Sequence, residues 1–191
     1  MVRQATAVSL ASAGRTKSRQ NLPVFDRSVM NSAEGTAQGG YVLAEASTGT
    51  PEVVLMGTGS EVQIAVAARE QLEAAGVPTR VVSLPCWEWF AEQDEAYRLE
   101  VLPSSVRARV SVEAGVPMGW RDFVGDAGRI VGLNHYGASA SYSKLYEEFG
   151  LTAEAVVAAA RDSLQAAQGP DVPPTGASVS VGGLDSPTGD K

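Results

Sequence analysis

From residue 39 to residue 168 the apolar positions follow two alternating styles. Short apolar runs bounded by Gly, Pro or Ser read as strands: GGYVLAEA (39–46), VVLMG (53–57), TRVVSLPC (79–86), ARVSVEAG (108–115) and RIVGLN (129–134). Longer stretches with apolar residues three and four apart read as helices. In TGSEVQIAVAAREQLEAAG (58–76) such a face is formed by Val62, Ala65, Val66, Ala68, Leu72 and Ala75. Ser60 is placed as its N-cap with Gln63 three residues on, and Gly76 is placed to close it. WEWFAEQ (87–93) and DEAYRLEVL (94–102) read as short helices stopped by Pro103, and GWRDFVG (119–125) as another. SYSKLYEEFG (141–150) and TAEAVVAAARDSLQAAQ (152–168), with Thr152 as N-cap, end the series.

The turn STGTPE (47–52) is too short to hold a crossover helix, so the first two strands are antiparallel if they pair. After them strands and helices alternate. The pattern predicts an α/β protein: a three-layer α/β/α unit with a five-stranded, mostly parallel sheet and one antiparallel edge strand. Residues 1–17 are small and polar without a sustained period, and are expected to be flexible. GPDVPPTGASVSVGGLDSPTGDK (169–191) has few large apolar side chains to offset its ordering entropy, which predicts a disordered tail. The expected division is therefore 1–38, 39–168 and 169–191.

Composition narrows the function classes. The chain has 191 residues, 44% apolar and 19% charged, which is enough for one core. Its net charge of −7, without any basic cluster, excludes nucleic acid and anionic membrane as natural partners. Cys86 is the only cysteine, so no intrachain disulfide forms, and its place after an apolar run suits a small buried side chain. The one histidine, His135, has no Cys or second His with which to hold a metal. No apolar run approaches the roughly 18 residues of a membrane span. MVRQATAVSLASAGRTK faintly resembles a transit peptide but lacks the apolar core of a secretory signal, so the chain reads as cytoplasmic.

Four stretches offer chemistry. GTGSEV (57–62) is a glycine-rich turn into a helix N-terminus, a place suited to an anion, although Glu61 opposes one and no phosphate-loop pattern is present. EAGVPMGW (113–120) leaves a strand's carboxyl end with Glu113, a candidate base with no second titratable group near it in sequence. NHYGASAS (134–141) sets His135 and Ser139 four apart without an acid to orient the His, which argues against a hydrolase triad. In SRQNLP (18–23), Arg19 offers a planar fork of donors for phosphate or carboxylate, Ser18 adds a hydroxyl, and Asn21 and Pro23 hold a turn.

Taken together these segments resemble the C-terminal portion of the transketolases. The resemblance rests on SRQNLP, GGYVL (39–43), GTGSEV with its AVAA helix (57–68), RVVSLP (80–85), Asp94 to Tyr97 with VLP (101–103), RVSVEAG (109–115), GLNHYGASA (132–140) and LYEEFG (145–150). It covers residues 18–168 in family order and spacing. It implies a C-terminal domain that supports a homodimer without direct part in the chemistry. It also implies that Arg19, with Ser18 beside it, is the last strip of the middle domain and contacts the phosphate of a sugar phosphate. The complete enzyme moves a two-carbon ketol unit between sugar phosphates using thiamine diphosphate and Mg. The diphosphate motif, the activating glutamate and the channel histidines of that family are missing here, and Ser141 stands where proline is usual. The expectation is a chain that binds no cofactor and performs no catalysis alone, from a truncated or late-started gene. Two other readings compete: a docking or dimerisation module of a split enzyme, acting through Trp87, Trp89 and Trp120, and an anion sensor built on GTGSEV.

Overall fold

A computed structural model describes residues 21–169; Ser18, Arg19, the segment before them and the tail from 170 onward lie outside the described residues. Five strands form one sheet: β1 (Tyr41–Ala44), β2 (Val53–Gly57), β3 (Thr79–Ser83), β4 (Arg109–Val112) and β5 (Arg129–Val131). Six α-helices accompany them: α1 (Val62–Ala74), α2 (Trp87–Ala91), α3 (Glu95–Val101), α4 (Arg121–Val124), α5 (Tyr142–Glu148) and α6 (Ala153–Ala167). A 3-10 helix, Ala33–Gln38, precedes β1.

The strand order is β1-β3-β2-β4-β5, with β1 antiparallel to β3 and every other pair parallel. The expected mixed sheet with one antiparallel edge strand is therefore present. The first two strands do not pair. β1 runs opposite to β2, as the short turn requires, but β3 lies between them. Placing β1 at the rim lets β2 bury both faces, so that all five of its residues are buried.

Alternation along the strands feeds two cores. Val53, Leu55, Val81, Val110 and Val112 face one layer, made by α1 and α6 with Ala65, Ala68, Leu72, Val156 and Ala160. Val54, Met56 and Val82 face the other, where Phe90 from α2, Val101 from α3, and Trp120 and Val124 at α4 cover them. Three layers result. The first core is aliphatic and alanine-rich, which lets α1 and α6 approach closely. The second is aromatic: Trp87 and Trp120 meet edge-on with centroids 4.9 Å apart, and Phe123 lies 5.1 Å from Trp87.

Helix ends mostly follow the sequence. Thr152 accepts a bond from Ala155 N, and Asp94 caps α3 by accepting from Tyr97 N. Gly76, at φ 80°, closes α1 in a Schellman turn: its N–H reaches Glu73 O, and Val77 N reaches Leu72 O. The start of α1 differs from expectation. Ser60 is not its side-chain cap; the N-cap position falls on Glu61, and the Ser60 hydroxyl donates to Glu61 Oε1 instead. A carboxylate beside the hydroxyl outcompetes the backbone N–H as acceptor.

Before β1 the chain is tied to the sheet rim. Asn31 N donates to Leu43 O and Asn31 Nδ2 to Val42 O, while Phe25 and Met30 pack on the first core. Contacts with the sheet thus begin N-terminal of residue 39.

Candidate functional site

After β2 the chain leaves through α1 toward β3. It then returns through α2 and α3 to place β4 on the other side of β2. The carboxyl ends of β2 and β4 therefore flank the point where the chain's direction of travel reverses, the usual ligand crevice of open α/β sheets. Two of the segments singled out by sequence, 57–62 and 113–120, meet there. The pairing of Gly57 with Val112 sets Thr58 opposite Glu113, 55 positions apart in the chain.

Thr58 Oγ1 donates a short hydrogen bond to Glu113 Oε2. Beside it Glu61, only 4% exposed, accepts from Ser60 Oγ at 2.8 Å and from the Tyr146 hydroxyl of α5. Burial pushes the Glu113 carboxyl above the ordinary carboxylate range; the Thr58 bond opposes this, and the charge of Glu61 adds to it. Glu113 therefore does have a titratable neighbour, contrary to the sequence expectation. The two acids lie 52 positions apart in the chain, and only the β2–β4 register brings them together.

Two acids side by side in a partly buried site disfavour an anion. The turn into α1 that suited an anion by sequence is occupied by a buried carboxyl group, and the first free N–H groups are used locally, Ile64 N bonding Glu61 O at 2.9 Å. The same two acids would oppose a diphosphate. Among the described residues no group of three or more His, Cys, Asp or Glu side chains is placed to hold a metal. These residues thus do not fit thiamine diphosphate and its metal.

The loop that begins at Glu113 is fixed at its other end by Trp120, fully buried, and by Gly119 at φ 86°. A Cβ on Gly119 would lie 2.7 Å from the Trp87 ring, so only glycine lets the loop pass. Between these anchors Val116 and Met118 stand out, 60% and 81% exposed. Tyr136 and Tyr142, beyond β5, add to the apolar surface of the same edge.

Other candidates resolve differently. His135 is exposed; its Nδ1 lies 2.8 Å from Tyr136 O and its ring meets Phe149 edge-on, with no described bond to Ser139. Cys86 is only partly buried, at the N-cap position of α2, because the chain turns outward there. Trp120 and Trp87 pack into the second core, so of the three tryptophans only Trp89, at 38% exposure, is left to offer a partner.

Comparison with known proteins follows the same outline. Residues 39–152 match the family described as the transketolase-like TK C-terminal domain. The chain belongs to the transketolase family. It is 54% identical over 145 residues to "Transketolase, chloroplastic" of Solanum tuberosum, a match covering 75% of this chain and 19% of that protein. Among solved structures, transketolase from Leishmania mexicana superposes with a TM-score of 0.66 at 37% identity, over 73% of this chain and 20% of that one. "Split gene transketolase, inactive beta4 tetramer" matches at TM-score 0.58 and 24% identity, over 78% of this chain and 49% of that one, which shows a shared fold. The chain spans about a fifth of the length of the curated transketolases it matches. Its ordered domain corresponds to the family's C-terminal domain, and no helix among the described residues is long and apolar enough to cross a membrane.

Proposed function

We propose that residues 39–168 act as the C-terminal domain of a transketolase-type enzyme, which moves two-carbon ketol units between sugar phosphates with thiamine diphosphate and Mg. The catalytic and cofactor-binding groups of that enzyme come from elsewhere, and this chain alone is inactive. The observation that carries the reading is the match of residues 39–152 to the family's C-terminal domain. The acidic switch-point crevice, unfit for a diphosphate, supports it. Arg19, with Ser18, is assigned the substrate phosphate once the other walls of the channel are present. The chain works in the cytoplasm, as a homodimer or with a catalytic partner chain.

The second reading, a docking module of a split enzyme, draws support from the apolar surface of Val116, Met118, Tyr136 and Tyr142. A split gene transketolase shares this fold. Calorimetric titration of the full chain with thiamine diphosphate and Mg tests the main proposal. Absence of saturable heat is expected, and saturable binding would overturn it.

A further inference from the structure

The amino edge of the sheet carries a groove that the proposed role does not use. It lies between the starts of β2 and β4 and the end of α6, holds about 310 Å3, and is lined by Pro51, Val106, Ala108, Leu164 and Ala167. Arg107 forms part of its wall and fixes where the chain leaves it. The Arg107 Nη1 donates to Ala167 O at 3.0 Å and to Gly169 O at 2.9 Å, which caps α6 at the groove itself. Pro170 follows Gly169, so the helix cannot continue. Residues 170–191 therefore start from the rim of this groove.

The first five of them suit it. Pro170, Asp171, Val172, Pro173 and Pro174 form a proline-rich run around one β-branched residue. Prolines, and the residue before each, favour extended backbone, so such a run loses little entropy on docking. At roughly 3.3 Å per residue, Val172 lies about 10 Å along an extended chain from Gly169, within reach of the apolar lining. Asp171 is the first charge beyond the exit. It complements Arg107, which Asp126 also pairs, while Glu52 on the groove is the one acid that opposes it.

We propose that residues 170–174 seat in this groove as an extended strap, with Val172 on the apolar lining and Asp171 beside Arg107. The strap covers the part of Leu164 that α6 leaves open to water, and fastens the end of α6 to the strand edge. The folded unit then runs to Pro174, and the tail that composition predicts starts only after it.

Nitrogen-15 relaxation and methyl NOE measurements on the full 191-residue chain test the strap. The amides of Asp171 and Val172 are expected to show order parameters of about 0.85, and those of residues 177–191 values below about 0.6. Val172 methyl groups should give NOEs to Val106 or Leu164 that persist on about tenfold dilution. Val172→Asp should lower both amides to the values of the far tail and shift the Val106 and Leu164 methyl signals. Val179→Asp, further along the tail, should do neither. Order parameters at 171 and 172 equal to those of the far tail overturn the proposal. So does ordering that survives Val172→Asp, or ordering that fades on dilution, which would give the groove to the tail of a second copy.

Discussion

The two ends of the parallel strands use charge in opposite ways. At the amino end arginines satisfy carbonyls. Arg109 donates to Val106 O at 2.8 Å, Phe123 O at 2.9 Å, Pro103 O at 2.7 Å and Leu102 O at 3.3 Å. Arg107 reaches Asp126 and the carbonyls of Ala167 and Gly169, and the buried Ser163 hydroxyl bridges to Ala127 O. Each cation there ends a loop or helix that would otherwise present unpaired acceptors. At the carboxyl end two acids face hydroxyls, with no arginine between them. The amino end spends its charge on stability. The carboxyl end keeps a titratable group beside an exposed apolar loop, which is how interaction surfaces differ from scaffolding.

The largest expected break in this contrast is at Arg109. Arg109→Ala removes a donor from four carbonyls, of which Pro103 O keeps its bond from Val106 N, and should cost about 3 kcal/mol, read as a lower denaturant midpoint at unchanged slope. Ser163→Ala should cost about 1–2 kcal/mol, because Arg109 N and Ala127 O both lose a partner in a site closed to water. Across the sheet, Tyr146→Phe removes one donor from the Glu61 carboxylate, a loss of about 1 kcal/mol that thermal melts can resolve.

Glu113→Gln gives the smallest average effect and the most informative one. A carboxyl group whose folded value is raised contributes stability that is fully present below its unfolded value and fades as pH rises through the folded one. Wild type should therefore hold its advantage over Glu113→Gln at acid pH and lose it toward neutrality. Parallel melting curves of the two proteins from about pH 4 to about pH 8 check this. A constant difference would mean that the group's role is packing alone.

What was readable in the sequence, and what was not, divides by range. Strand and helix identity came from local periodicity, and the caps at Thr152 and Gly76 from residue types that act on their nearest turns. The insertion of β3 between β1 and β2 was not visible, because the strand order depends on which faces bury best across the whole domain. The meeting of Glu61 with Glu113 escaped for the same reason. Both follow strand ends by a few residues, yet only the β2–β4 register makes them neighbours. Trp120 looked available for a partner because an aromatic in a loop suggests an interface, whereas the second sheet face needed a plug of that size. Ser60 followed a cap rule that holds only where no carboxylate competes for the hydroxyl.

The central claim is that this domain does its work only as part of a complete transketolase. Its most direct test replaces the C-terminal domain of a full-length transketolase with residues 39–168 of this chain, and measures ketol transfer by the chimera and by the chain alone. The account predicts turnover by the chimera and none by the chain. A folded, assembled chimera without activity, or turnover by the isolated chain, would contradict it.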